Sequence, residues 1–169
     1  MISTGHKMHF LSTSQSDQSG QFFARTMRFS DLELVVKNET AAYEYPWTKR
    51  IFIDCLTAGH QCWVLANKRQ IVAHGVMSLA VGECHLLTLC VHPDYQGAGY
   101  GRKLLKLLMD RAYKLDAVDC FLEVRSANSV AISLYRSLGF TQIGKRKSYY
   151  PNAEGQEDAL IMSRSLPLS

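Results

Sequence analysis

The sequence predicts an α/β (α+β) protein built on one mixed, mostly antiparallel sheet. Three observations support this class. Apolar runs separated by short polar turns indicate a three-strand meander over residues 62–91. The last of these runs leads through a glycine-rich turn into an amphipathic helix that reaches residue 115. A further strand, a short helix and a closing strand pair account for residues 118–164.

Length and composition indicate one globular domain. A chain of 169 residues can bury a single good core, and 47% hydrophobic with 20% charged residues is ordinary for such a protein. Residues 1–25 are rich in Ser, Gln, His and Gly and show no helical or strand period. We therefore expect a poorly ordered N-terminal extension over 1–25 and one domain over 26–169.

Targeting signals and cysteine usage point to the cytoplasm. No apolar run approaches the roughly 20 residues of a membrane span, and the N-terminus lacks the apolar core of a signal peptide. The five cysteines include no C-x-x-C pair and lie mostly among apolar residues, so we expect buried reduced thiols. A cytoplasmic protein without membrane contact is the expectation.

The first third of the chain is predicted to hold a short strand and two helices. Thr26–Phe29 is the candidate strand, and Ser30 with Glu33 forms a capping box at the start of the first helix. Thr48 is the candidate N-cap of the second helix, which Gly59 ends. The meander of antiparallel strands follows.

The last third alternates strand and helix. Residues 118–125 place Cys120, Leu122 and Val124 on one face of a strand and Glu123 on the other. A helix begins at its cap Asn128, and Gly139 is placed to end it in the left-handed conformation. Residues 140–144 and 159–164 form the predicted closing pair, joined by a polar connection.

The turn before the long helix carries three glycines in the order Gln96-Gly97-Ala98-Gly99-Tyr100-Gly101. Glycines at a helix N-terminus let backbone N–H groups approach a phosphate. A P-loop would need Gly-Lys-Ser/Thr at its end, and a dinucleotide fingerprint would need G-x-G-x-x-G, so neither motif fits. A plain structural turn remains the alternative to a phosphate cradle.

Glu123 is the candidate for acid–base chemistry, because a carboxylate inside an alternating apolar strand is costly unless something uses or pairs it. Asn128 and Tyr135 lie two helical turns apart on a face directed towards the end of the Glu123 strand. A carboxylate and a phenol across one cleft would make a base and an acid. The alternatives are a Glu123 paired with a cation such as Arg125, a core Tyr135 and a purely capping Asn128.

Charge and histidine content add little. A net charge of +4 suits nucleic acid or a polyanionic cofactor equally well, and only Lys145-Arg146-Lys147 forms a basic run. Four histidines are isolated in the sequence and are expected mostly at the surface or on strand edges: His60, His74, His85 and His92. No Ser-His-Asp set and no metal-ligand spacing is present, so no metal is expected.

Taken together, these motifs resemble the GNAT acyl-CoA N-acyltransferases. The glycine turn is similar to the pyrophosphate loop of that family. The segments 122–128, 131–140, 45–48, 147–151 and 157–159 resemble one branch, the bacterial ribosomal-protein alanine N-acetyltransferases of the RimI type. The likeness covers about residues 29–166 and implies the GNAT fold, with helices on both faces of the sheet.

The resemblance also implies roles for individual residues, with acetyl-CoA as co-substrate. Glu123 would be the general base and Tyr135 the general acid, while Asn128 would contact the cofactor. The strand backbone of Leu89, Cys90 and Val91 would meet the pantetheine arm. The pyrophosphate would be held by Gly97, Ala98, Gly99, Tyr100, Gly101 and Arg102. The acceptor peptide would lie against Tyr45, Pro46, Trp47, Tyr149 and Tyr150.

The expected reaction is therefore direct acetyl transfer to the N-terminal alanine of a ribosomal protein, by resemblance small-subunit ribosomal protein eighteen. An α-amine, with a pKa of about 8, is neutral roughly a tenth of the time at pH 7, so a single carboxylate suffices as base. The expected partner is that N-terminal peptide, with no direct nucleic-acid contact, and the protein is expected to be a monomer. Another N-terminus, a lysine or a small amine, a non-catalytic acyl-CoA-binding module and an RNA-binding protein are the alternatives.

Overall fold

The computed structural model describes residues 21–167 and contains one seven-stranded sheet with four α-helices. The strands are β1 (Phe23–Thr26), β2 (Gln61–Ala66), β3 (Ile71–Ala80), β4 (Glu83–Val91), β5 (Asp119–Arg125), β6 (Thr141–Asn152) and β7 (Gly155–Ser165). The helices are α1 (Leu32–Ala42), α2 (Lys49–Thr57), α3 (Tyr100–Tyr113) and α4 (Ser129–Ser137). This β-α-α-β-β-β-α-β-α-β-β order confirms the predicted class.

The sheet is mixed, with strand order β1-β2-β3-β4-β5-β7-β6. β4 and β5 run parallel, and the other neighbouring strands of residues 21–167 pair antiparallel, including the predicted meander of β2, β3 and β4. The parallel pair needs a crossover, which α3 supplies. A mostly antiparallel mixed sheet is therefore confirmed.

Each face of the sheet is covered by a pair of helices, and each pair closes its own core. On one face α3 contributes Leu104, Leu105 and Leu108, all at most 1% exposed, to a cluster that also includes α4 residues. On the other face α1 and α2 contribute Val35 and Phe52, both fully buried. The helical stripes and the strand alternation therefore bury apolar surface on both sides.

The N-terminal elements differ from the predicted ones. β1 is Phe23–Thr26, paired with β2, and the predicted strand Thr26–Phe29 is wrong. Phe29–Asp31 forms a 3-10 turn instead, and the predicted cap Ser30 lies inside it. Asp31, the last residue of this turn, closes a capping box on it, since its carboxylate accepts the Arg28 N–H at 2.7 Å. Of the predicted extension 1–25, residues 1–20 lie outside the described part.

The closing strand pair is longer than predicted. β6 extends to Asn152 and β7 starts at Gly155, so Tyr149 and Tyr150 belong to β6 rather than to a connection. Register shifts between Gln142 and Gly144 and between Arg146 and Tyr150 interrupt the alternation. Bulges of this kind hide a strand from a period-2 pattern, which explains the short prediction.

Other predicted features are confirmed. Thr48 precedes α2, and Gly59 follows it with a φ of 75°. The Asn128 side chain caps α4 by accepting the Ala131 N–H at 3.1 Å. Gly139 has a φ of 82° after that helix, and all five cysteines are buried and free. Within residues 21–167, no helix has both the length and the apolar character that crossing a membrane requires.

The sheet opens between β4 and β5. The parallel pairing runs only from Glu83 with Asp119 to Leu86 with Leu122. Beyond that point β4 carries a bulge, because Val76 of β3 pairs with Thr88 and the next residue pairs with Leu86, which leaves Leu87 extra. A bulge bends its strand and increases the local twist. The ends of β4 and β5 therefore border a cleft.

Candidate active site

The glycine turn leads directly into α3 at one end of this cleft. Gly97 and Gly99 have φ values of 78° and 83°, a region that side chains with a Cβ avoid. The first hydrogen bond of α3 joins the Lys103 N–H to the Gly99 carbonyl at 3.0 Å, so the N–H groups before it have no partner inside the helix. Gln96 fixes the turn by donating from Nε2 to the Val91 carbonyl at 3.1 Å. The turn can bind an anion.

A cavity of about 520 Å³, here called the loop cavity, lies against this turn. Leu89 and Val91 form one wall with the turn residues Gln96, Gly97, Gly99, Tyr100, Gly101 and Arg102, and Asn128 and Tyr135 of the α4 region stand among the residues opposite. Ala98 is not among its lining residues. The Cys90 side chain, 1% exposed, lies on the other face of β4, where its thiol meets the Asn38 carbonyl. Only the backbone of Cys90 can therefore meet a ligand here.

A second cavity of about 300 Å³, the inner cavity, continues the first. The two share five lining residues: Tyr43, Leu89, Asn128, Ala131 and Tyr135. The inner cavity adds Glu123 and the aromatic residues Tyr45, Trp47 and Tyr150. One cleft thus connects the anion-binding turn to Glu123, with Tyr135 at the junction.

Glu123 projects from β5 into the inner cavity with 27% of its side chain exposed. Its Oε1 forms an ion pair with Arg146, whose Nε lies 2.7 Å away, so one carboxylate oxygen is already engaged. Glu123 does pair with a cation, as the alternative held, but that cation is Arg146, because Arg125 binds Glu157 at 2.7 Å. The carboxylate is accessible to a molecule in the cavity and held by one cation.

Tyr135 lies on α4 with 7% of its surface exposed, and its ring meets Phe140 edge-on at 5.8 Å. Burial is the main cause that raises the pKa of the Tyr135 phenol, because a phenolate would lose its hydration. The phenol therefore stays protonated at neutral pH and can donate a proton. Tyr135 is both a core aromatic and a cleft residue, and Asn128 likewise combines its cap with a place in both cavities.

Tyr43 is a cleft residue that the sequence analysis missed. It directly follows α1, and its hydroxyl donates to the Leu89 carbonyl at 2.7 Å. Burial raises the pKa of the Tyr43 phenol. This bond ties the α1–α2 connection to β4 at the junction of the two cavities. Tyr43 belongs to the aromatic-rich segment 43–47, which is visible in the sequence. No motif or spacing rule, however, indicates that its first residue lines the cleft.

A cluster of three buried side chains, Glu39, His74 and Cys90, adjoins the inner cavity, which Glu39 lines. Glu39 of α1 accepts from the Trp47 N–H at 3.2 Å, and its Oε2 lies 2.8 Å from His74 Nε2. His74 is therefore not one of the surface or strand-edge histidines that the sequence led us to expect, because helix packing on the sheet buries it against a residue 35 positions away. Cys90 is adjacent, and the three ligand-type atoms lie within 4.8 Å of one another.

The predicted peptide-binding residues fall into two groups. Tyr45, Trp47 and Tyr150 line the inner cavity. Tyr149 lies in a neighbouring cavity of about 470 Å³ that also reaches Glu123, and Pro46 is not among the lining residues of either. The structure therefore places three of the five predicted residues in the inner cavity and Tyr149 in the neighbouring one, and both cavities border Glu123.

Comparison with known proteins shows the family of this chain. Residues 26–140 match the Acetyltransferase (GNAT) family. The [ribosomal protein bS18]-alanine N-acetyltransferase of Escherichia coli K12 is 35% identical over 144 residues, which is 85% of this chain and 96% of that protein. The enzyme of the same name from Salmonella typhimurium is 36% identical over 83% of this chain and 93% of its own length.

A solved structure shows the same fold. The crystal structure of the ribosomal-protein-S18-alanine N-acetyltransferase from Escherichia coli superposes with a TM-score of 0.82 at 32% identity, covering 88% of this chain and 96% of that one. The chain therefore belongs to the GNAT acetyltransferase family. It is an N-acetyltransferase similar to the enzymes that act on the alanine of ribosomal protein bS18.

Proposed function

We propose that this protein transfers the acetyl group of acetyl-CoA to the α-amine of the N-terminal alanine of ribosomal protein bS18. The observation that carries the proposal is the continuous cleft from the glycine turn to Glu123, with Tyr135 at its junction. The relatives whose names specify this reaction are 35% identical over most of the chain.

The donor half of the cleft suits acetyl-CoA. Unpaired N–H groups at the start of α3 and the helix dipole favour a pyrophosphate at the glycine turn. Leu89 and Val91 continue the cavity wall from the turn towards Tyr135. A pantetheine arm bound along this wall would deliver its thioester to the junction of the two cavities.

The acceptor half supplies a base and an acid. In the proposed reaction the amine nitrogen attacks the thioester carbonyl carbon, the C–N bond forms and the C–S bond breaks. Glu123 takes the proton from the amine, through the carboxylate oxygen that Arg146 does not engage or through a water. Tyr135, whose buried phenol has a raised pKa and is therefore still protonated at this point, gives its proton to the departing thiolate.

Mass spectrometry of synthetic peptides tests the proposal. A peptide with the N-terminal sequence of ribosomal protein bS18 is incubated with the protein and acetyl-CoA, beside the same peptide with a blocked α-amine. We expect one added acetyl group, found only when the α-amine is free. Acetylation of the blocked peptide would move the reaction to lysine, and no acetylation of any peptide would overturn the proposal.

The Glu123→Gln variant tests the base. The amide keeps the size of the side chain but cannot accept the proton, so we expect turnover to fall by about 10²–10⁴. The matched control is Glu83→Gln, since Glu83 is an exposed residue of β4 whose side chain pairs with His85 at 3.4 Å. Equal activity of Glu123→Gln and Glu83→Gln would remove Glu123 from the mechanism.

A further inference from the structure

Arg125 ends β5 on the same face as Glu123 and joins two neighbouring segments. Its Nη1 donates to Glu157 Oε1 at 2.7 Å and to the Pro151 carbonyl at 2.8 Å. The Glu157 side chain is 14% exposed and that of Arg125 is 26% exposed. The guanidinium is therefore anchored on the β6–β7 hairpin rather than extended into solvent.

Two tyrosines of the inner cavity pack on the same guanidinium. The Cζ atom of Arg125 lies 4.6 Å from the ring centroid of Tyr150 and 5.4 Å from that of Tyr45. Tyr45 comes from the α1–α2 connection and Tyr150 from β6, so Arg125 links walls that belong to different parts of the fold. Arginine suits this place because its planar group can stack on aromatic faces and pair with a carboxylate at once.

Arg125 also separates two cavities. It lines the inner cavity of about 300 Å³ and an outer cavity of about 420 Å³, together with Tyr43 and Tyr45. The outer cavity continues to Glu154 and Glu157. Shortening the side chain at position 125 would therefore join the outer space to the space beside Glu123.

We propose that Arg125 is the specificity-determining residue that limits the first side chain of the acceptor to a small one. The inference rests on the proposed function. An α-amine at Glu123 places its first side chain close by, and two positions along a strand span only about 6.6 Å. The stack of Tyr45, Arg125 and Tyr150 thus borders the space for that side chain. A methyl group fits beside it, whereas a branched or aromatic side chain meets the guanidinium.

Peptides that differ only in their first residue test the inference. Alanine, leucine and phenylalanine peptides are assayed for kcat and KM with the wild type and with the Arg125→Ala and Arg125→Lys variants. We expect Arg125→Ala to lower the preference for alanine over leucine at least tenfold, through a higher KM for the alanine peptide and a lower one for the others. Arg125→Lys keeps the charge without the stacked fork, so its preference falls to an intermediate value.

Two further variants control the experiment. Arg50→Ala also removes an arginine and its ion pair, with Asp54, but on the exposed face of α2, so its preference stays that of the wild type. Glu157→Gln retains the size of the anchor and weakens its hold on Arg125, so the preference for alanine falls by a smaller factor. This substitution leaves Arg125 in place and keeps the test decisive even where Arg125→Ala does not fold.

The outcomes are distinguishable. If the wild type acetylates the alanine peptide, but the folded Arg125 variants and Glu157→Gln keep its preference, the inference is overturned and the proposed function stands. A wild type that uses alanine and leucine peptides equally also overturns the inference. A wild type that acetylates none of the peptides overturns both.

Discussion

Tyr135 shows how the environment of a single residue keeps a phenol protonated. Its ring is packed against Phe140 while its position borders both cavities. Burial disfavours the phenolate and raises the pKa of the hydroxyl, so the protonated form persists above neutral pH. The same packing that fills the core therefore keeps the proposed acid in its active form.

The pH dependence of activity follows from this direction. We expect kcat/KM to rise from pH 6 to about pH 8 as the acceptor α-amine loses its proton. It should then stay level to about pH 10, because the raised pKa of Tyr135 delays loss of its proton. Tyr135→Phe should lower the plateau by about 10²–10⁴, whereas Tyr113→Phe, at an exposed position near the end of α3, should not. A fall above pH 8 that Tyr135→Phe abolishes would contradict the raised pKa.

At the scale of elements, two glycines at the start of α3, Gly99 and Gly101, differ in their tolerance of a side chain. Gly99 has a φ of 83°, whereas Gly101 lies in the helix, where an added Cβ would meet Leu134 and Val91 at an ordinary 3.5 Å. Gly99→Ala should therefore cost about 1 kcal/mol or more of stability and raise the KM for acetyl-CoA. Gly101→Ala should stabilise by up to about 1 kcal/mol and raise that KM less. Urea denaturation and kinetics of both variants provide the measurement, and equal destabilisation would contradict the assignment.

The ion pair at the entry to α1 predicts acid sensitivity. Both carboxylate oxygens of Asp31 accept from Arg25, at 2.7 and 2.8 Å, and these bonds hold the pKa of Asp31 below its ordinary value. A lowered folded-state pKa stabilises the fold above about pH 4, and the contribution is lost as pH falls through that folded value. Asp31→Asn should thus cost about 2 kcal/mol at pH 7 and progressively less towards pH 3. A cost that is constant from pH 7 to pH 3 in urea denaturation would refute this linkage.

The elements that sequence patterns predicted are those with uninterrupted periods. The apolar stripes of α2 and α3 predict these helices, and the alternation of β5 predicts the strand that carries Glu123. The Asn128 cap predicts the start of α4. Local capping chemistry misled the prediction at Ser30, since a single residue further along, Asp31, binds both a backbone N–H and a guanidinium. The bulges of β6 similarly concealed that Tyr149 and Tyr150 are strand residues.

Contacts between distant segments could not be read from the sequence. Glu39 and His74 meet only because α1 packs across β3, and Arg146 reaches Glu123 from a neighbouring hairpin. The basic run Lys145-Arg146-Lys147 is also changed by the fold, because Lys145 pairs with Asp158 and Arg146 with Glu123. Spacing along a chain carries no information about such pairs. The sequence therefore indicated candidate site residues, but it did not indicate the ion pairs and hydrogen bonds that hold them.

At the scale of the whole molecule, the sheet opens between β4 and β5. Four residue pairs join these two strands before they separate. The loop cavity is lined from β4 and α3 on one side and from α4 on the other, so a molecule bound in it contacts elements on both sides of the opening. Binding to the folded state alone adds RT ln(1 + [L]/Kd) to the free energy of unfolding, about 2.7 kcal/mol at a ligand concentration of 100 Kd.

Coenzyme A should therefore raise the melting temperature by about 5–10 °C at that concentration, given about 2–4 °C per kcal/mol for a domain of this size. The Gly99→Ala variant should need more coenzyme A for the same shift. An alanine at this positive φ strains the turn, whose N–H groups face the ligand. Differential scanning fluorimetry over a coenzyme A titration measures both. A wild type whose melting temperature does not move at millimolar coenzyme A would show that the cleft does not bind this ligand, independently of any peptide assay.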